Sequence, residues 1–347
     1  METTPPLFLY TRHPGMHREW PYVDARMATR LKELGAYEER TIPWERPLED
    51  EIDLRHVVGL ARFGGSLTSR TLAFAPNLRM LGVNTDNSGQ GLPLAELWDR
   101  GITVIDTTRA WAASVAEVGL ALALNALRGI PRWHMRMALR EPLFTFAYAQ
   151  FCDDPHVVNG ELGTKCVGII GLGQIGSRVA RVCGALGSSV IAYDPFVPRH
   201  VAESSAITIV EIDALVRDAE VVFVTVPPTP SARHLLNRER IGMLRQGAIV
   251  VIVTRAHAVD MTALRERIVA DELVGAFDVY DVEPLPVDDV LRNRPNVVHT
   301  PHIAGRTRDA NLRAVDLIAD DFARLLRQEP ARHALSPRAA AVRTGAL

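Results

Sequence analysis

Residues 166–194 read CVGII, GLGQIG, SRVARVCGALG, SSVIAYD. A short apolar strand runs into three glycines, a helical pattern follows, and a second strand stops at Asp194. Each glycine has its own reason to be there. Gly171 permits the tight turn, Gly173 lets the backbone come close to a pyrophosphate, and Gly176 lets the helix lie close on the strand. The helix start offers unpaired N–H groups and the positive end of its dipole to phosphate oxygens. Asp194 follows Gly173 by 21 residues, where a carboxylate is placed to accept the hydroxyls of an adenosine ribose. The glycine spacing alone is a weak signal. Strand, helix and acid in register make it a dinucleotide site.

The same alternation continues outward from this unit. VVFVTV (221–226), AIVVIV (248–253), VGAFDV (274–279) and NVVHT (296–300) read as further strands. Helices are expected at 174–187, 211–217, 238–245 and 260–270, with Asn237 and Asp260 as N-caps. In the front third, strands are expected at 6–10, 56–62, 78–83 and 102–105, with helices at 22–35 and 93–101. Strands alternating with helices imply parallel sheets covered on both faces. The fold class is therefore α/β, with two doubly wound parallel-sheet domains. One is expected at 1–110 with 306–335, the second at 111–305, with 336–347 as a flexible tail. Between them, 113–131 reads as a long helix, apolar almost all round, with Ser114 as N-cap, Glu117 completing a capping box and Pro131 marking its end. The aromatic stretch that follows, with Trp133, Phe144, Phe146, Tyr148 and Phe151, fits neither a helix nor a strand period. Exposed, it would form a larger apolar patch than monomers usually carry, so a homodimer contact is expected there.

Composition narrows the class of partner. With 39 basic and 41 acidic residues the net charge is −2, and no block of like charge occurs, so neither nucleic acid nor an anionic membrane is expected as a partner. No membrane span is expected. The first residues carry too short an apolar run for a signal peptide. Three cysteines, Cys152, Cys166 and Cys183, are few, odd in number and lack metal-ligand spacing, which argues for a reducing, cytoplasmic setting and no metal site.

Three polar residues in the later half sit where an open α/β sheet binds its ligand, at the carboxyl ends of expected strands. Arg255 follows AIVVIVT, Glu283 lies in DVYDVEPLP, and His302 in TPHIAG. Moving a hydride to or from the carbon of a 2-hydroxy acid requires a proton to move on its oxygen, which suits histidine near neutral pH. A carboxylate beside it orients the ring, and a guanidinium grips the substrate carboxylate through a planar two-pronged contact. Another histidine, His299, reads as strand packing.

On these residues the chain resembles the D-isomer-specific 2-hydroxyacid dehydrogenases over roughly residues 50–325. The motifs that carry the resemblance are SVAE (Ser114–Glu117), GLGQIG (171–176), Val226-Pro227, Arg255, Glu283-Pro284, and TPHIAG with His302. It implies a Rossmann-type nucleotide domain and a flavodoxin-like substrate domain, NAD as cofactor, and a homodimer built on the nucleotide domain. It implies His302 as acid/base, Glu283 as its partner and Arg255 as substrate anchor. Gly171, Gly173, Gln174, Ile175, Gly176, Asp194, Val226, Pro227, Val253, Asp278 and Gly305 would face the cofactor, Asp278 near the nicotinamide amide. The expected activity is an NAD-dependent oxidoreductase acting on a small carboxylate, a D-2-hydroxy acid or its 2-oxo acid. The alternative is a dinucleotide-binding regulatory or scaffold protein of the corepressor type.

The substrate half departs from the family pattern. Ala256 replaces the glycine after Arg255, the 84–91 turn is NTDNSGQG, and Arg109 and Trp111 stand in the stretch before SVAE. The expected carboxylate-binding loop of the first domain is Arg62-Phe-Gly-Gly-Ser66, in which Gly64 and Gly65 would offer N–H groups to the substrate.

Overall fold

The computed structural model describes residues 6–83, 91–144, 146, 160–197 and 207–344. The expectations for Tyr148, Phe151, Cys152 and all but the last residue of the 84–91 turn fall outside these. The chain divides into two compact units, Met1–Trp111 with Arg306–Leu347, and Ala112–Gly305.

The first unit is built on β1 (Leu7–Arg12), β2 (Ala36–Thr41), β3 (Val57–Phe63), β4 (Met80–Val83) and β5 (Thr103–Ile105). All pair in parallel, in the order β2-β1-β3-β4-β5, which is the flavodoxin order with its switch point between β1 and β3. The edge strand β2 was not expected from the sequence, because AYEERT carries no apolar run. It forms because β1 offers it a continuous hydrogen-bonding edge from Leu7 to Arg12. The helix Arg308–Leu326 brings the chain back to this sheet, with Phe322 stacked on Phe8 at 5.4 Å. Its N-cap, Thr307, accepts from the Ala310 N–H.

The expected flexible tail is corrected by the structure, which forms a helix over Pro337–Thr344. Leu335 N–H donates to Val104 O, Asp106 N–H donates to His333 O, and Arg343 pairs with Asp106 at 2.7 Å. The segment thus covers the open edge of β5, and Ala340 is buried. Main-chain bonds and one ion pair leave no periodic mark in a sequence, which is why the tail read as loose.

The second unit carries β6 (Cys166–Ile170), β7 (Ser189–Tyr193), β8 (Thr208–Ile209), β9 (Val221–Val224), β10 (Ile249–Ile252), β11 (Val274–Phe277) and β12 (Val297–His299). Their order is β12-β11-β10-β9-β6-β7-β8, all parallel. The order reverses between β6 and β9, so ligands are expected outside their carboxyl ends. One face of the sheet packs Val167, Ile169, Phe223 and Val251 against Val115, Leu120, Ala123 and Leu127. The other packs Val222, Val250 and Ile252 against Leu215, Leu264 and Ile268. Asn237 and Asp260 cap their helices as expected, accepting from Arg240 N–H and Ala263 N–H.

Two local expectations change. The long helix runs Arg109–Arg128, so Ser114 lies inside it and not at its cap. By length and composition alone this helix would be long enough to cross a membrane, contrary to the sequence reading that no such stretch exists. Val115, Leu120, Leu122, Ala123 and Leu127 of this helix are buried in the core just described, whereas Leu124 is exposed. Pro131 then opens a second helix, Ile130–Ala138, in the stretch expected to be irregular. That helix buries none of its residues, although Ile130, Trp133 and Met137 share one of its faces at helical spacing.

Candidate active site

The glycine turn leaves β6 at the switch point. Gly171 adopts φ +96°, and a Cβ there would lie 2.8 Å from Val226 Cγ1. Its N–H donates to Tyr193 O, while its carbonyl accepts from the buried Thr225 hydroxyl at 2.7 Å. A Cβ on Gly176 would fall inside contact distance of the Gly171 carbonyl, whereas one on Gly173 would meet nothing within 4 Å. Gly171 and Gly176 therefore close the strand–helix contact, and Gly173 keeps a face of backbone open. Gln174 is exposed and Ile175 half-buried, at the start of the helix Gly176–Ala185. Asp194 ends β7 and accepts from Leu172 N–H at 2.8 Å through one oxygen and from Phe196 N–H at 2.9 Å through the other. Each oxygen keeps lone pairs for further donors. This cradle fits an adenine dinucleotide. Val226 and Pro227 follow β9, half-buried, and the Thr254 hydroxyl bonds Val226 O at 3.1 Å. Val253 turns its side chain into the core, 3 % exposed, so only its main chain faces the carboxyl end.

Arg255, Glu283 and His302 follow β10, β11 and β12, three neighbouring strands. The structure brings Glu283 and His302 together, with His302 Nδ1 2.7 Å from Glu283 Oε2. An ionised carboxylate only accepts, so Nδ1 carries the proton and Nε2 is the ring atom left to face a ligand. The other Glu283 oxygen accepts from Tyr280 N–H at 2.9 Å, which fixes the carboxylate from both sides. Farther back, Arg265 donates to both oxygens of Asp281 and to Asp289, holding the segment that carries Glu283. Arg255 begins the turn Ala256–Ala258 and donates to Thr254 O. His299 is half-buried in β12, and burial lowers its pKa below the ordinary value.

Asp278, expected near the nicotinamide amide, is buried and bonded to the loop that bears His302. It accepts from the Thr300 hydroxyl at 2.6 Å, Ile303 N–H at 2.9 Å and Ala304 N–H at 3.0 Å. Gly305 closes the loop, half-buried.

In the first unit, the reading of Gly65 as an amide donor to substrate is corrected, since its N–H already donates to Ile42 O; Gly64 is buried beside it. Their lack of a side chain serves close packing. A Cβ on Gly64 would meet the Arg12 and Ile42 backbone, and Gly65 turns at φ +76°. Arg62, the next-to-last residue of β3, headed the expected carboxylate-binding segment but was not itself read as a site residue. It is 8 % exposed, donates to Gly65 O at 2.9 Å, lies over the Trp44 ring, and has its Nε buried without a partner. No carboxylate pairs with it among the described residues, and burial pulls its pKa down to about 10.

Comparison with known proteins matches residues 120–304 to the family model for the NAD binding domain of D-isomer specific 2-hydroxyacid dehydrogenase. D-3-phosphoglycerate dehydrogenase of Methanocaldococcus jannaschii is 31 % identical over 311 residues, 88 % of this chain and 56 % of that protein. Hydroxypyruvate reductase of Thermotoga maritima is 32 % identical over 274 residues, covering 77 % of this chain and 84 % of that one. The chain spans about half the length of the phosphoglycerate dehydrogenases it matches, 56 % and 48 % for two of them. Among solved structures, a phosphoglycerate oxidoreductase from Rhizobium etli shares the fold, with a TM-score of 0.81 and 24 % identity over 96 % of this chain and 98 % of that one.

Proposed function

This chain belongs to the D-isomer specific 2-hydroxyacid dehydrogenase family, and we propose that it interconverts a small D-2-hydroxy acid and its 2-oxo acid with His302 as acid/base. The cofactor is NAD, for which the matched domain is described. When bound it supplies or takes up the hydride. The observation that carries the proposal is the His302–Glu283 pair at 2.7 Å. In the reducing direction, Nε2–H of His302 gives its proton to the carbonyl oxygen as C2 gains hydride, and Glu283 holds the ring so that this nitrogen faces the substrate. In the oxidising direction Nε2 takes the hydroxyl proton. Arg255 grips the substrate carboxylate, because a guanidinium matches its two oxygens. Arg62 in the first unit is a separate candidate for an anionic group, since a buried guanidinium without a counter-charge is costly until an anion meets it.

The test is NADH oxidation with glyoxylate, pyruvate, hydroxypyruvate and 3-phosphohydroxypyruvate. Turnover with at least one is expected, with His302→Ala lowering kcat by about 10²–10⁴ while NADH affinity is kept. Tight NADH binding without turnover of any 2-oxo acid would refute the dehydrogenase reading.

We also propose a homodimer in the cytoplasm. Met135, Met137, Leu139, Phe144 and Phe146 are 44–65 % exposed on one stretch of the second unit. Trp133 is the exception there, since it already rests against Phe144 of its own chain at 5.8 Å. Two of the cysteines, Cys166 and Cys183, are free, and burial pushes the Cys183 thiol up to about 12.

A further inference from the structure

We infer that His257 is a positioning residue for Arg255, its imidazole stapling the turn that carries the guanidinium to the loop after β9. A histidine two residues beyond Arg255 has the chemistry of a second proton carrier. The structure engages it otherwise, with His257 Nε2 2.8 Å from Thr229 O. A carbonyl only accepts, so Nε2 carries a proton and donates it to that bond. The acceptor is itself well fixed. Thr229 is 4 % exposed, its N–H donates to Pro227 O at 2.8 Å, and its hydroxyl accepts from Ala232 N–H at 3.2 Å.

Arg255 is thereby held from both sides on one neighbouring segment. Before it, the Thr254 hydroxyl bonds Val224 O at 3.3 Å and Val226 O at 3.1 Å. After it, the His257 side chain lands on Thr229, three residues past Val226. The main chain of the turn is tied farther along, where His257 O accepts from His234 N–H at 3.1 Å and Ala258 O from Leu236 N–H at 2.8 Å. Those two bonds fasten the turn as it runs on toward the helix Met261–Val269. The imidazole fastens it on the side of the loop that Thr254 also grips. Arg255 has an extended backbone between these points, so the aim of its long side chain follows from where they are fixed.

Reach decides the residue type. Ala256 and Ala258 are buried at 4 % and 2 % exposure, which leaves the half-buried residue 257 to cross to the β9 loop. Glutamine sets an amide N–H about where Nε2 stands, whereas asparagine is one methylene too short and alanine has no donor.

The inference rests on the reading of Arg255 as substrate anchor, so Arg255→Ala is run beside His257→Ala, His257→Asn and His257→Gln. The assay uses NADH with whichever 2-oxo acid of the panel is turned over fastest. His257→Ala and His257→Asn should each raise the KM of the oxo acid about 3–10-fold, the fold-change that one lost hydrogen bond gives. Their kcat should stay within about threefold of wild type, because a grip on the carboxylate acts on bound substrate and transition state alike. NADH Kd from fluorescence titration should stay within about twofold, and His257→Gln should restore the wild-type KM to within about twofold. A general loss of structure would give neither that split nor that rescue. Raised KM in Arg255→Ala with wild-type KM in His257→Ala would refute the inference alone; unchanged KM in Arg255→Ala would remove its premise and the inference with it. A loss of kcat of about 100-fold or more in His257→Ala with KM kept would make His257 a proton carrier and overturn the inference. NADH affinity weakened about tenfold or more would assign the bond to the cofactor loop and overturn it as well. Should His257→Ala fail to fold, His257→Asn against His257→Gln decides: equal KM values in the two refute the staple.

Discussion

Gly171→Ala separates the two duties of the glycine turn. At φ +96° the new side chain sits where an L residue is strained, at a cost of about 1–2 kcal/mol. Its Cβ would lie 2.8 Å from Val226 Cγ1 and 3.2 Å from the Thr225 and Val226 main chain. Of these only the valine methyl yields easily, so overpacking adds about 1–3 kcal/mol. A loss of about 3 kcal/mol follows, which for a unit of this size lowers Tm by about 6–12 °C. Gly173→Ala is the contrast. Nothing lies within 4 Å of its Cβ, so the melting temperature should move little. That Cβ would instead occupy space needed by a pyrophosphate, and NADH should bind at least about tenfold more weakly, or 1.4 kcal/mol. The assay is thermal melting by circular dichroism without nucleotide, followed by NADH fluorescence titration on each variant. Equal melting losses in the two variants would refute the steric argument. Wild-type NADH affinity in Gly173→Ala would refute the open-backbone argument.

Other consequences are as direct. NADPH should bind much more weakly than NADH, because the Asp194 carboxylate is fixed by two amides and cannot turn away from a 2′-phosphate; equal Kd values would count against its role. Stability should fall as pH drops below about 6.5, in part through His299. Desolvation lowers its folded pKa, so the unfolded chain binds the proton more readily, and that contribution is full above the unfolded value and lost as pH falls through the folded one. His299→Gln should flatten melting temperature between pH 7 and 5 relative to wild type, about the range of that titration; an unchanged slope would exclude it. Light scattering should give a dimer, and Met137→Asp with Leu139→Asp should yield monomer; a dimer that survives both changes has its interface elsewhere.

What the sequence made legible follows the physics of each element. The nucleotide turn was readable because tight turn, backbone approach and helix packing each demand a missing side chain at a fixed offset, and Gly171, Gly173 and Gly176 answer one apiece. β6, β9, β10 and β11 were readable because they are apolar on both faces, as parallel strands between helices must be, whereas the two-residue edge strand β8 was not expected. β2 was not, since an edge strand half in water needs no apolar run, only a neighbour's free edge. Gly65 was seen but misread: a glycine looks the same whether it opens an amide to a ligand or lets the chain pack closely, and only the bond from its N–H to Ile42 O decides between them. Arg62 and Asp278 show the same limit from the other side. A single charged letter at a strand end states its chemistry but not its partners. Arg62 is informative because it lacks a counter-charge among the described residues. Asp278 is informative because its three donors lie between positions 300 and 304, a helix-length of chain away in sequence yet one strand away in space. A site of this kind is therefore written in two registers. The residues that meet the reacting atoms stand at strand ends and are open to reading, while those that aim them are fixed only when the strands come side by side.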